Sequence, residues 1–404
     1  MRLRVGGLAL AVVFASAACS GGTPTDGAAG ANDTQNTPAL YQETPQPGED
    51  ALFDQFAVQI QQIQDAMIAG GTIQRGFHVK PHVCALGNVR VFSDDEIREH
   101  EQEDGIADRL ADIRVGLFAQ AATYQAWVRL SNGTIQSKAD ANPDVRGLAI
   151  KLMGVTGDRL MDDGGATQDF LMTNLPFNLA ADSPGFMDFA RATAGFTLQS
   201  DGTMVPAFGG AALTMPAYIA THGFFAFTFT PAIALPIKTM LTQSFWSGGP
   251  FRMNEKAAKF LAKPCGDVDY QAQLQAKGLP DLLDPNYLGT DATASLASYD
   301  LCYDLYVQFQ NDPVAQPIEN GEVVWDETVD PPIEVARITI PQLSDPDQLA
   351  AEESFCAGLS FTPWHGLRSH QPLGSLNRAR QKVYGASATH RNYNGAEPDG
   401  TETF

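Results

Sequence analysis

From Gly202 to Ile237 the chain carries not one Asp, Glu, Lys or Arg. A run of this length avoids exposing apolar surface in one of two ways. It spans a bilayer as a single helix, or it folds against a core in shorter pieces. Pro206, Pro216, Pro231 and Pro236, with Gly209-Gly210 and Gly223, decide against the single helix, because a proline lacks the backbone donor and clashes with the preceding turn. The run therefore reads as short buried or half-exposed helices and turns. The alternative is an apolar surface that meets lipid, an oligomer partner or an apolar substrate.

The rest of the chain reads as strands first and helices behind. With 404 residues of which 44% are hydrophobic, there is enough apolar surface for a large core. Phe53 to about Gly70 places Phe56, Ile60, Ile63 and Met67 among glutamines and predicts a helix ended by Gly70-Gly71. Segments 75–92, 124–131 and 145–155 carry Val, Ile and Phe at short spacing between Gly, Asn and Asp turns and predict strands. The acidic and basic stretch 94–112 predicts a solvated helix between the first two. Lys256–Ala262, Leu301–Gln310, Glu322–Trp325 and Ile333–Ile340 predict further strands of the same sheet. No internal repeat is visible. The fold class expected is α+β, an antiparallel β-barrel with appended helices.

The N-terminus has Arg2 and Arg4, an apolar run from Val5 to Phe14, then Ala15-Ser-Ala-Ala-Cys19. This is the pattern of a secretory signal over residues 1–18, too short to span a bilayer comfortably. Cys19, followed by Ser20-Gly-Gly, resembles the lipidated residue of a bacterial lipoprotein box; Ser16, where a larger aliphatic residue is usual, leaves ordinary cleavage near Ala17 or Ala18 as the alternative. Residues 19–50 are mostly Gly, Ala, Thr, Pro, Asn, Gln and acidic residues and predict a tether, followed by a domain over 51–395 and a tail over 396–404. The expectation is an exported protein, periplasmic or held on the outer membrane by its lipid. A net charge of -21 repels phosphate backbones and excludes nucleic acid as a partner.

Beyond Cys19, the cysteines are Cys84, Cys265, Cys302 and Cys356, an even count that allows one or two disulfides without fixing their pairing. They lack the paired spacing of a zinc site. His78, His82 and Cys84 would share one face of a strand, so a mononuclear metal site there is geometrically allowed.

Late in the chain, Arg380 precedes Tyr384 by four residues and Arg391 follows it by seven. On a helix Arg380 and Tyr384 share a face one turn apart, which lets a guanidinium hold the phenol oxygen as a phenolate, a ligand for ferric haem iron. Four earlier segments stand in a matching order. They are Arg75-Gly-Phe-His78-Val-Lys80, Val128-Arg129-Leu-Ser131-Asn-Gly, Asp144-Val-Arg146-Gly147-Leu-Ala149-Ile-Lys151, and Asp169-Phe-Leu-Met-Thr173-Asn174-Leu-Pro176-Phe177 with Asp182 and Phe186 beyond. With the closing run Phe361-Thr-Pro363-Trp364 to Arg380, these segments resemble the catalase superfamily, in its small catalase-related branch, from about residue 70 to about residue 395.

The resemblance implies an eight-stranded barrel that binds haem b, with the iron inside the barrel and Tyr384 as its proximal ligand. His78 would be the distal acid–base residue, accepting a proton from the peroxide and returning it to the leaving oxygen. Ser131 would hydrogen-bond that histidine, Arg75, Arg129 and Arg391 would bind the haem propionates, and Phe186 would lie against the porphyrin. Thr173 stands where catalases carry the first of two distal asparagines, with Asn174 in the second place, which weakens the case for fast hydrogen peroxide dismutation. Three functions follow as alternatives. The first is reduction of hydrogen peroxide or small organic hydroperoxides, the second conversion of fatty-acid hydroperoxides in the manner of allene oxide synthases, and the third a haem-binding barrel without catalysis. Oligomerisation is left open.

Overall fold

The computed structural model describes residues 39–68, 71–101, 106–393, 395 and 397–404. The secretory signal, Cys19 and the first part of the tether lie outside the described residues. In chain order the elements begin with α1 (Glu49–Ala66), β1 (Pro81–Val91), α2 (Asp94–Glu101), α3 (Ile106–Ile113), β2 (Ala122–Asn132), β3 (Arg146–Met153), β4 (Thr167–Thr173) and α4 (Ser183–Ala194). A small hairpin, β5 (Phe196–Leu198) and β6 (Met204–Pro206), leads to α5 (Ala211–Thr221), a π-helical turn over Phe225–Phe229 and α6 (Thr230–Ile233). Then come β7 (Phe245–Trp246), β8 (Phe251–Met253), β9 (Lys256–Pro264), α7 (Val268–Ala276), α8 (Tyr287–Leu296), β10 (Leu301–Phe309), β11 (Ile333–Ile340), α9 (Pro346–Gly358) and α10 (Ser375–His390).

The strand order is β10-β11-β1-β2-β3-β4-β7-β9, and β9 pairs back to β10, so the antiparallel sheet closes into an eight-stranded barrel with β8 appended to β9. Closure leaves no long unpaired edge. Alternation along each strand divides the side chains cleanly. Ala126, Val128 and Leu130 of β2, Leu148, Ile150 and Leu152 of β3, and Phe170 and Met172 of β4 join one buried cluster that fills the barrel. The intervening residues face outward. Register sets them in rows across the sheet, Cys84–Arg129–Ala149–Leu171 and Ser131–Gly147–Thr173. The interior is therefore packed shut, and, contrary to the expectation of an iron inside the barrel, any ligand site near these residues lies against the outer wall.

That outer wall is faced by α10. The helix is held at its start by Arg378, whose guanidinium meets Glu43, Glu49 and Glu319, and along its length by α1, whose Phe53, Phe56 and Ile63 pack with Ala379 and Val383. Burying side chains of this size contributes about 1.5–3 kcal/mol each, so α10 is fixed mainly by apolar contact. The same ion pairs show that residues 43 and 49 belong to the packed domain, so the tether ends earlier than expected.

Other expectations are corrected in detail. Residues 75–80 precede β1 and are not strand. The 94–112 helix is two helices, and α3 turns Ile106, Leu110 and Ile113 into the core rather than being solvated. Glu322–Trp325 forms a turn and loop that buries Trp325 instead of a strand. The C-terminal tail packs on the barrel: Glu397 pairs with the buried Lys151, and Phe404 lies 5.5 Å from Trp127 and 5.4 Å from Phe355, ring to ring. Cysteine pairing resolves as Cys84–Cys356 and Cys265–Cys302. With Cys84 bridged and His82 Nε2 2.8 Å from Asn132 Oδ1, the metal set His78, His82 and Cys84 does not form.

Candidate functional site

A cavity of about 140 Å³, partly open to solvent, lies between α10 and the outer face of β2–β4. The barrel wall contributes Arg129, Ser131, Gly147, Ala149 and Leu171, with Arg75 and His78 from the preceding loop. The helix wall contributes Ala379, Arg380, Val383, Tyr384, Ala388 and Arg391. Residues far apart in sequence thus meet in one slot because β2–β4 present alternate side chains outward and α10 presents one face inward.

On the barrel wall, His78 adopts φ 55°, a left-handed conformation uncommon for a side chain with a Cβ. Contacts on both sides of the residue hold it there. Its N–H donates to Gly133 O at 3.1 Å, and its carbonyl accepts from Arg129 Nη2 at 2.7 Å. The ring is then fixed by Ser131, whose Oγ lies 3.1 Å from Nδ1. Burial, followed by the positive charges of Arg129, Arg380 and Arg75, pushes the imidazole pKa down to about 3. The ring is neutral across the physiological range.

Gly147 makes this placement possible. A Cβ at position 147 would stand 2.5 Å from His78 Nδ1 and 3.0 Å from Ser131 Oγ. Gly147→Ala should therefore push the imidazole out of line, and misplacement by about 1 Å typically costs on the order of 10²-fold in rate. Any His78-dependent turnover should fall to that extent while thermal unfolding shifts little, a pairing that steady-state assays and calorimetry would read.

On the helix wall, Tyr384 is half-buried and faces the cavity. Arg380 lies over its ring, 5.8 Å from the centroid, and donates from Nη1 to Asn377 Oδ1 at 2.8 Å. The sequence spacing anticipated the shared helical face; the guanidinium sits above the ring rather than at the phenol oxygen. Phe186, from α4, also lines the cavity and meets Phe77 edge-on at 5.2 Å.

Three further guanidiniums border the slot. Arg75 Nη2 donates to the carbonyls of Cys356, Ala357 and Leu359 at 3.2, 3.1 and 2.7 Å. Arg391 donates to Ala357 O at 3.2 Å and Leu359 O at 2.6 Å. These acceptors are at the C-terminal end of α9, where the helix dipole is negative. Among the described residues, none of Arg75, Arg129 and Arg391 has a carboxylate partner within ion-pair distance. Burial pushes Arg129 down to about 10, with Arg391 adding to it, and lowers Arg75 well below its usual value, with Arg129 and Arg391 adding. Three clustered cations sharing only carbonyl acceptors favour an anionic ligand.

Two expected residues are placed elsewhere. Thr173 stands beside Gly147 in register but is not part of the lining. Asn174 is turned away: its Oδ1 accepts from Arg146 N at 2.7 Å and its Nδ2 donates to Gln243 Oε1 at 3.1 Å. Strand alternation accounts for this, since consecutive residues leaving β4 point to opposite faces. Sequence reasoning passed over the carbonyls of residues 356–359, which no side-chain motif marks, and the close-contact role of Gly147, which was visible only as part of a motif.

No family model matches the chain, and no curated protein matches it. Solved structures do. A fungal catalase, known from a crystal structure, superposes with a TM-score of 0.55 at 15% identity, over 90% of this chain and 66% of that one. A bacterial catalase gives a TM-score of 0.54 at 15% identity, over 92% of this chain and 67% of its own length. The chain thus spans about two thirds of the length of these catalases. The likeness establishes a catalase-like α+β fold.

Proposed function

We propose that this catalase-like chain is an exported, lipid-anchored haem b protein that decomposes hydrogen peroxide or small organic hydroperoxides. One observation carries the reading. Tyr384, His78 and the guanidiniums of Arg75, Arg129 and Arg391, which among the described residues have no carboxylate partner, converge on a single slot from unconnected parts of the sequence. The residues fit the group. The guanidiniums match two propionates, Phe186 and the aliphatic lining match an apolar macrocycle, and Tyr384 is an oxygen ligand of the type that holds ferric haem in catalases. Bound there, ferric haem supplies the redox chemistry of O–O bond cleavage.

The protein's own residues supply the proton handling. His78 lines the cavity with Nδ1 3.1 Å from Ser131 Oγ; in the tautomer with Nδ1–H donating to that oxygen, Nε2 is the neutral base, able to take a proton from one peroxide oxygen and return it to the other. Arg129 keeps that ring in place through the His78 carbonyl. Phe186 and Phe77, edge to face in the same lining, limit water in the cavity.

The pH dependence has a definite sign. Because burial and the surrounding cations hold the conjugate acid of His78 near pKa 3, the base form is present throughout pH 5–8. Peroxide consumption should therefore stay level as pH falls from 8 to 5. An acid limb centred near 6.5, the ordinary histidine value, would assign the proton transfer to another group.

A second reading, conversion of long-chain hydroperoxides without a reductant, is favoured by the orientation of Asn174, which leaves no amide side chain in the cavity lining. The deciding experiment is an absorption spectrum of the purified protein before and after adding hydrogen peroxide, with a fatty-acid hydroperoxide in parallel. A tyrosinate-type ferric haem spectrum with consumption of hydrogen peroxide supports the first reading. Consumption of the acyl hydroperoxide alone, without added reductant, supports the second, and a protein that takes up no haem sinks both.

A further inference from the structure

The segment without charge folds into short pieces that are anchored on one side and bare on the other. Tyr218, Phe225 and Phe229 point inward, with Tyr218 and Phe225 meeting Phe189 of α4 at 5.9 and 5.3 Å between ring centroids. Outward, Phe208 is 94% exposed, Phe227 85% and Leu235 81%. Between them α5 carries no charge and only Thr214, Tyr218 and Thr221 as polar side chains, and its exposed residues are Ala212, Leu213, Pro216, Ala217, Ile219 and Ala220 with Thr221 at its end. A helix so rich in apolar residues is ordinarily buried.

We propose that this face rests on a lipid bilayer, lying in the plane of the interface. Among the described residues no helix is long and apolar enough to cross a membrane, and α5 has 11 residues, so the segment lies on the surface rather than passing through. The absence of charge from Gly202 to Ile237 means that no ion loses its hydration on entering the interface. A bilayer is also the partner within reach. Cys19, the residue that resembles a lipidation site, precedes the first described residue, Ala39, by 20 positions (39 − 19), a span of at most about 70 Å at full extension. The other exposed apolar side chains, such as Leu279 and Leu283, are interspersed with Lys277, Asp281 and Asp284 and lack this uncharged continuity.

Since the protein is acidic and the face has no cation, attachment should not depend on anionic lipid or on salt. The test places a reporter on the face. In the full chain, Phe227→Trp is mixed with phosphatidylcholine vesicles whose acyl chains are brominated, and the fluorescence of the unsubstituted protein is subtracted. The introduced indole should shift to the blue and be quenched several-fold, equally at low and high salt, whereas Leu279→Trp should be unaffected. Equal quenching at both positions, or none at 227, overturns the proposal. So does a blue shift that grows with protein concentration without vesicles, which would give the face to a second copy of the chain. Independently, co-sedimentation of the Cys19→Ser chain with the same vesicles should fall at least several-fold on Phe208→Ser, and unchanged co-sedimentation counts against the proposal.

Discussion

Tyr384→Phe should abolish the tyrosinate-type haem spectrum and reduce peroxide consumption to background. The substitution removes one oxygen and keeps the ring, so the packing of α10 against α1 and the place of Arg380 over the ring are preserved. No other side chain of α10 in the lining can replace the lost ligand. Ala379, Val383 and Ala388 have no donor atom, Arg380 and Arg391 are cations, and Ser387 Oγ already accepts from Gly76 N at 3.3 Å. Visible spectroscopy with haem quantitation reads the result directly. If haem content and spectrum are both unchanged, Tyr384 is not the ligand.

His78→Ala should retain haem on the proposed reading, because the side chains of Arg75, Arg129, Arg391 and Tyr384 are unchanged, while peroxide cleavage falls by ~10²–10⁴-fold, the usual effect of losing a general acid–base group. The left-handed φ at this position penalises alanine, so a folding defect could imitate a catalytic one. His78→Asn separates the two, since asparagine tolerates that conformation but carries no base. Both variants should lose turnover, with Asn melting closer to the parent. Turnover within a few-fold of the parent in either variant would remove His78 from the chemistry.

The helix wall was legible in the sequence because its logic is local. Arg380 and Tyr384 are set by helical spacing alone, and α10 with Arg391 at its C-terminal cap delivers all three to one slot. The strands β1, β2, β3, β9, β10 and β11 were legible from the residue pattern, whereas β4, β7 and β8 were not read as strands. What escaped depends on distant contacts. Residues 75–80 contain Phe77 and Val79 and look like strand, yet His78 is turned into a left-handed conformation by Gly133 and Arg129, 50 or more positions away. The inward or outward choice at Thr173 and Asn174 rests on where β4 stops, which no side-chain pattern marks. Disulfide pairing was equally hidden, because Cys84 and Cys356 are 272 residues apart.

The Cys84–Cys356 bridge has a consequence for the life history of the molecule. Cys84 sits in β1 directly opposite Arg129, and Cys356 supplies one of the carbonyls that hold Arg75. Oxidation therefore staples the shelf under two arginines to the wall carrying the third. A chain kept reduced would have that shelf tied only by weaker contacts, so on the proposed reading haem uptake should follow thiol oxidation. Titrating haem into oxidised and reduced protein should show tighter uptake by the oxidised form.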